Sequence, residues 1–346
     1  MKVLIITQKI DKDDPGLGFF HRWVLAFFGA GVTTSVICLE KGKHSLPDSI
    51  PVFSLGKETR RSRLWYSIYF LYLIVALRKK YDSVFVHMNE EYILLGGIVF
   101  RLLGKKILFW RNHPHGSWRT RLAVALSHHV FCTSSFSFTA KFKKTILMPA
   151  GIDTVHFAPI HEIPHDFSLA FVGRISPVKK LELLIDAMEK LGEGVTMPPL
   201  FVYGESLSRD SAYEKSIKEK AKALVHQIKI HFLGAVSQRD LPRVYSQHSA
   251  LVNMTPTGSF DKVILEAMAC GMPVLLSNKS FENILPREHH GVLMFSEGDS
   301  GDLAEKIKKL VALPASLRLR IGQTLRDIVV RDQSLAALLK KLIPFF

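Results

Sequence analysis

Apolar runs of four to six residues alternate with longer amphipathic segments along almost the whole chain, and this rhythm constrains the fold more than any other feature. Val3–Ile6, Thr34–Leu39, Ser83–His87, Lys106–Trp110, His129–Thr133 and Thr145–Met148 read as strands of a first half. Helical patterns fall between several of them, at Phe19–Phe28, Leu64–Lys80 and Glu91–Leu103. The second half repeats the rhythm. Leu169–Val172, Leu200–Tyr203, Ile228–Leu233, Ala250–Asn253, Pro273–Ser277 and Gly291–Phe295 read as strands. Helices are expected at Lys180–Leu191, Ser211–Val225, Gln238–Gln247, Lys262–Ala269 and Asp299–Leu313. Such alternation predicts βαβ units and parallel sheets, an α/β class.

At 346 residues the chain exceeds one ordinary core and fits two domains. The clearest seam is Pro149–Phe167, where Pro149, Pro159 and Pro164 enforce extended backbone, as an interdomain linker would. The expected division is residues 1–158 and 159–327, with a C-terminal helix over about 328–346 packing back on the first domain. Two doubly wound domains facing each other would gather their strand ends around one cleft. Cys38, Cys132 and Cys270 are odd in number and far apart, which speaks against a disulfide framework or zinc site and for a reducing compartment. The opening run Val3–Ile6 is too short for a signal peptide and reads as a first buried strand, so a cytoplasmic location is expected.

Charge points to the partner. Forty-six Lys and Arg against 31 Asp and Glu leave +15, which calls for an anionic ligand or surface. The basic residues cluster at Lys57–Arg63, Arg78–Lys80, Lys105–Lys106, Arg111–Arg121 and Lys141–Lys144, all in the first half. Between the first two clusters, Leu64–Leu77 is apolar over about 14 residues, short of the ~20 a spanning helix needs. It suits a core helix. Its Trp and Tyr content and the flanking Arg60, Arg61, Arg63 and Lys79 keep open a second reading, a helix lying on a membrane surface.

Three segments carry chemistry. In Gly258–Asn278, GSFDKVILEAMACGMPVLLSN, a polar loop leads into a short helix centred on Glu266. Gly271 suits its end and Pro273 forbids its continuation. Glu266 is therefore a carboxylate at the lip of a parallel sheet, where open α/β folds bind ligands. In Phe171–Lys180, a strand ends at Gly173 and a loop sets Arg174 and Lys179 around a helix start, two cations that can neutralise a diphosphate. The third is Met148–Pro159, MPAGIDTVHFAP.

Together these segments resemble the family-4 retaining glycosyltransferases, group 1 enzymes of the GT-B fold with two Rossmann-like domains. Gly151–Pro159 matches the Gly-Ile-Asp-x-x-x-Phe-x-Pro signature, Arg174 and Lys179 the Gly-Arg and following lysine, and Glu266–Val274 the Glu-Ala-Met-Ala-x-Gly-x-Pro-Val run. His231–Gly234 followed by Leu241, Pro242 and Tyr245 fits the connecting stretch. The resemblance implies that Arg174 and Lys179 hold the diphosphate of a UDP- or GDP-sugar and that Glu266 accepts the ribose hydroxyls. It implies no cofactor and no metal, because two cations can replace one. One departure stands out. Gly258 occupies the position of the family's first Glu, which leaves Ser259, Phe260 and Asp261 to line the donor-sugar corner, chiefly through backbone N–H groups.

In the first domain the resemblance puts a donor-contacting histidine after the strand ending at Trp110. His113 is nearest that end, and it joins Arg174 and Lys179 as a catalytic candidate. His115, His87 and Asn89 are candidates on the acceptor side. Gly16 and Gly18 after the first strand would let backbone approach the diphosphate. The expected activity is transfer of a hexose from a nucleotide sugar to a lipid-linked or polysaccharide acceptor in cell-envelope glycan synthesis. The protein would lie peripherally on the anionic inner face of the membrane and would not bind nucleic acid. The alternatives are a related phosphorylase or epimerase, and a degenerate GT-B protein that binds nucleotide sugar, lipid or nucleic acid without turnover.

Overall fold

A computed structural model of the chain describes residues 1–14, 16–160, 166–191, 197–224 and 226–346. In chain order the first unit contains β1 (Lys2–Ile10), α1 (Gly18–Gly29), β2 (Thr33–Lys41), β3 (Val52–Ser54), α2 (Arg63–Ala76), β4 (Ser83–His87), α3 (Glu91–Leu102), β5 (Lys106–Trp110), α4 (Trp118–Leu126), β6 (His129–Cys132) and β7 (Thr145–Leu147). The second contains β8 (Leu169–Val172), α5 (Leu181–Glu189), β9 (Leu200–Tyr203), α6 (Ser211–Ala223), β10 (Ile230–Phe232), α7 (Leu241–Ser246), β11 (Ala250–Asn253), α8 (Lys262–Ala269), β12 (Val274–Leu276), α9 (His290–Leu293), α10 (Ser300–Ala312) and α11 (Ala315–Ile328). A last helix, α12 (Leu335–Leu342), belongs to the first unit.

The first unit is a seven-stranded parallel sheet of order β3-β2-β1-β4-β5-β6-β7. Its central strands are buried on both faces, so they read as continuous apolar runs rather than alternating ones. One face packs α1 and α12 through Phe20, Trp23, Phe27 and Leu338. The other packs α2, α3 and α4 through Phe70, Ile74, Phe100 and Val124. The second unit is a five-stranded parallel sheet of order β10-β9-β8-β11-β12, with α5 and α10 packed together over one face. Strand order reverses between β1 and β4 in one unit and between β8 and β11 in the other. Those reversal points are where open parallel sheets form a crevice beyond the strand ends.

Three details differ from the sequence reading. Gly291–Phe295 is not a strand. His290–Leu293 forms the helical turn α9, and only Met294 bridges to Leu276. A short apolar run does not distinguish strand from buried helix, so periodicity carried no warning. The short edge strand β3 and the helices α4 and α11 had no expected counterparts. The boundary between units falls between Gly151 and Ile152, not after residue 158. Of the expected linker Pro149–Phe167, residues 161–165 lie outside the described residues.

The signature Gly151–Pro159 has a structural explanation at that boundary. Gly151 has φ +68°, and a Cβ there would lie 2.5 Å from Leu338 and 2.7 Å from Trp23, so only glycine fits. Its carbonyl accepts the Trp23 indole N–H at 2.9 Å. Asp153 accepts the amides of Val155 and His156, and Phe157 is buried beside Tyr245 in the second unit.

Candidate active site

In the second unit the reversal point brings together the loops after β8 and β11. Gly173 leaves β8 with φ +145° and runs against Gly204, where a Cβ would meet the Gly173 carbonyl at 1.9 Å. Both positions therefore need glycine. The Lys179 side chain lies back over Gly173, its Cε 3.6 Å from where a Cβ would stand. Its Nζ pairs with the Asp261 carboxylate and lies 3.4 Å from Thr255 Oγ1. Asp261 also accepts Asn253 Nδ2 at 2.9 Å and Thr255 Oγ1 at 3.1 Å. Burial works against its ionisation, but the Lys179 charge and these donors prevail and hold its carboxyl below the usual range. Arg174 is exposed, and no hydrogen bond or ion pair engages it among the described residues.

The next loop is fixed from below. Asn278, fully buried, donates to the carbonyls of Pro256 and Ser259 at 3.0 and 2.6 Å. Gly258 has φ +96° and donates its amide to Ser280 Oγ. A Glu at this position would sit in the left-handed region that glycine favours, so the loop's own backbone accounts for the substitution seen in the sequence. Phe260 stacks on Phe281 at 4.6 Å, and the Ser259 amide donates to Pro256. Of the three residues expected to face the donor through backbone amides, Ser259 thus spends its amide within the loop and Asp261 engages Lys179 by its side chain.

Helix α8 starts at Lys262 and carries Glu266 one turn later. Glu266 is buried and accepts the Tyr245 hydroxyl at 3.4 Å. Burial pushes the Lys262 ammonium down to about 7, partly offset by the Glu266 charge. The helix closes at Cys270 and Gly271, the latter at φ +74°. Gly322 of α11 approaches so closely that a Cβ there would meet the Gly271 carbonyl at 1.9 Å. The Glu-Ala-Met-Ala-x-Gly run thus places a carboxylate and packs one helix end on another. Burial also pushes the Cys38 and Cys270 thiols up to about 12, so neither is a thiolate at neutral pH.

At the first unit's reversal point the candidates are arranged otherwise. The Gly16 and Leu17 amides donate to Asp14 Oδ1 at 2.9 and 2.8 Å, and Gly18 opens α1 with no room for a Cβ beyond 3.0 Å from the Lys12 carbonyl. Lys9 bridges Asp11, Asp14 and Glu40. His87 is buried, stacked on Phe20 at 4.1 Å, with Thr7 Oγ1 3.5 Å from its Nδ1. Asn89 is half-buried and follows Met88, a non-glycine residue at φ +69°. His113 and His115 are exposed on the β5–α4 loop, the His113 Nδ1 lying 2.8 Å from the His115 carbonyl. Beside them Glu90 accepts the Thr120 hydroxyl at 2.6 Å and pairs with Arg111 at 3.2 Å.

Sequence reasoning missed Asn253, Thr255 and Asn278. Each is a polar residue at the carboxyl end of a buried strand, and that placement was the available signal. A cavity of about 400 Å³ lies elsewhere in the second unit, at the opening ends of β8, β11 and β12, with Phe167, Ser249, Pro273 and Arg318 on its wall. It takes in none of Gly173, Lys179, Asp261 and Glu266.

Two Rossmann-like parallel sheets, each with polar loops at its reversal point, constitute the GT-B fold of glycosyltransferases. Residues 156–327, just under half of the chain, match the family model for glycosyl transferases group 1. A segment is 29% identical over 174 residues to the probable sucrose-phosphate synthase of Thermosipho melanesiensis, covering 48% of this chain and 40% of that protein. Another is 30% identical over 156 residues to a D-inositol 3-phosphate glycosyltransferase of a Mycobacterium species, covering 45% and 35%. The matched segments thus span well under two thirds of these relatives. Among solved structures, Anabaena Alr3699/HepE in complex with UDP superposes with a TM-score of 0.79 at 19% identity over 99% of both chains. Sucrose-phosphate synthase from Thermosynechococcus elongatus gives 0.77 at 19% identity, over 99% of this chain and 97% of that one. At such identities the likeness is one of fold.

Proposed function

We propose that this chain is a retaining glycosyltransferase that moves a hexose from a UDP- or GDP-sugar to a lipid-linked or glycan acceptor, without a metal or other cofactor. One observation carries the reading: Lys179 is held over the end of β8, where Arg174 is exposed and engaged by no hydrogen bond or ion pair among the described residues, one loop away from the Glu266 helix. A diphosphate in that position meets two cations. As the bond from the anomeric carbon to the leaving phosphate breaks, negative charge grows on the diphosphate, and fixed cations stabilise it most at that moment. The acceptor oxygen bonds to the anomeric carbon on the same face, and its proton passes to the departing phosphate. No protein nucleophile takes part. Glu266 accepts the ribose hydroxyls, and His113 contacts the donor sugar. The structures of Anabaena Alr3699/HepE with UDP and with UDP-glucose support this choice of donor class.

Relatives named for inositol 3-phosphate and sucrose-phosphate favour a second reading of the acceptor alone, a small phosphorylated molecule. With a lipid-linked acceptor, the protein works in the cytoplasm at the inner membrane face. Among the described residues no helix is long and apolar enough to cross a membrane. The test is incubation with radiolabelled UDP- and GDP-sugars, plus either a lipid extract or phosphorylated polyols and sugars, following nucleotide release and labelled product. Turnover lost in Lys179→Ala and Glu266→Ala supports the reading. Binding without turnover, indifferent to both changes, overturns it.

A further inference from the structure

Helix α2 is apolar all round, yet only half of it is covered. Phe70, Leu73 and Ile74 pack into the core, while Leu64, Ile68 and Tyr72 on the opposite side are 71, 58 and 63% exposed. A helix with no polar side is ordinarily buried on every side. The neighbouring helices repeat the anomaly. α3 packs against both α2 and α4, and it turns Ile98 and Leu102 outward at 64 and 83% exposure, away from its buried Ile93 and Phe100. On α4, Trp118 and Leu122 face outward at 69 and 45%. Three adjacent helices on one side of one sheet therefore each carry an apolar stripe into solvent. Scattered surface apolars are normal; aligned stripes on neighbouring helices form a patch, and patches mark binding surfaces.

The rim of the patch identifies the partner. Between residues 57 and 144 the chain has 16 Lys and Arg against 4 Asp and Glu, a local excess of +12 out of the whole chain's +15. No acidic residue lies between Glu58 and Asp82, the stretch that contains all of α2. Arg61, Arg63, Arg78, Lys79, Arg119 and Arg121 are exposed around the stripes. The Arg61 guanidinium lies 5.2 Å from the Trp65 ring and that of Arg119 5.7 Å from the Trp118 ring, so aromatic and cation occupy the same spot. Aromatic rings beside cations, next to an aliphatic stripe, match the headgroup and acyl boundary of an anionic bilayer. A second copy of the chain is a poor fit, because an isologous contact through this face would press two basic rims together.

We infer that the outer face of α2, α3 and α4 is a docking surface for anionic lipid, with Ile68, Ile98, Leu102 and Trp118 entering the headgroup layer and the arginine rim holding the charges above it. This deepens the membrane-face part of the proposed function and rests on that reading only for the lipid-linked acceptor. The test uses the full chain in co-sedimentation with vesicles of phosphatidylcholine alone or with roughly 30% phosphatidylglycerol, at low and high salt. Binding is expected only to the anionic vesicles, weakening as salt rises. Ile98→Asp with Leu102→Asp should cut binding at least about tenfold while leaving the melting temperature unchanged, because both side chains are exposed. Equal binding by wild type and variant, or no binding to anionic vesicles at low salt, overturns the inference. So does a dimer that the variant dissociates without any vesicle binding. Nucleotide release from a UDP- or GDP-sugar, measured in parallel without vesicles, keeps the two ideas apart. Its failure breaks the proposed function, and failure of vesicle binding alone breaks the docking surface.

Discussion

The two reversal points of this molecule occupy the same place in two similar sheets and are built for different purposes. In the second unit a lysine lies over a glycine-lined strand end, and the adjacent Arg174 is exposed, with no hydrogen bond or ion pair among the described residues. In the first, the glycine loop is closed on itself. Asp14 already accepts the Gly16 and Leu17 amides, Lys9 is saturated by three carboxylates, and His87 is packed among aromatic rings. The same topology thus gives one place where an exposed arginine stands next to a lysine paired with a single carboxylate, and one whose polar groups are largely spent on holding the loop. Strand order says where a crevice lies; the side chains decide whether it is free to bind.

The sharpest way to break this contrast is Lys179→Ala, expected to lower turnover by about 10²–10³-fold if the lysine stabilises developing phosphate charge. The change also strands Asp261, whose side chain is only 13% exposed, and should cost about 3 kcal/mol in urea unfolding. Adding Asp261→Asn should restore most of that stability and none of the turnover. Recovery of turnover in the double variant would show that the lysine serves the fold alone. In the first unit, His87→Ala removes a stacked, buried ring and should cost about 2–4 kcal/mol of stability by denaturant titration, whatever happens to activity. A His87→Ala variant that melts normally but loses acceptor binding would return this residue to the active site.

Asp14→Ala should cost about 1 kcal/mol near neutral pH, for the two amides and the lysine it releases. Burial raises the Asp14 carboxyl, but Lys9 and the backbone amides bring it below the ordinary value. The folded form therefore holds its proton less tightly than the unfolded chain. The stability it contributes is fully present above about pH 4 and is lost as pH falls through the depressed value. The stability gap between wild type and Asp14→Ala should thus be present at pH 7 and narrow as pH falls toward 3, and a gap independent of pH would refute the assignment. The smallest effect is expected at the exposed His113. Replacement by Ala should change stability by less than about 0.5 kcal/mol, so any fall in nucleotide release reports on chemistry and not folding.

Much of this architecture was legible in the chain. Ser83–His87, Lys106–Trp110, Leu169–Val172, Leu200–Tyr203 and Ala250–Asn253 are strands with the bounds read from the sequence, because strands buried on both faces read as near-continuous apolar runs. Edge strand β3 and helix α4 were not legible. The former is only three residues long, and the apolar pattern of the latter is broken by Arg119 and Arg121. At the candidate site, the positions of Arg174, Lys179 and Glu266 followed from spacing along a loop and a helix. The pairing of Lys179 with Asp261 did not, since the two lie 82 residues apart and meet only when β8 and β11 become neighbours. The left-handed backbone at Gly258 was equally invisible, although it accounts for the residue found there.

The packing of Leu338 and Trp23 against Gly151 has a consequence for biogenesis. The core of the first unit includes Leu338 and Leu342 of α12, while the whole second unit, Ile152–Ser334, intervenes in the chain. On a ribosome the N-terminal sheet emerges early and must wait, its α1 face incompletely covered, until the last described helix has been made. The second unit is contiguous and can fold while that wait continues. The unit that begins first is therefore completed last, and during synthesis its unfinished apolar face is the surface most in need of a chaperone.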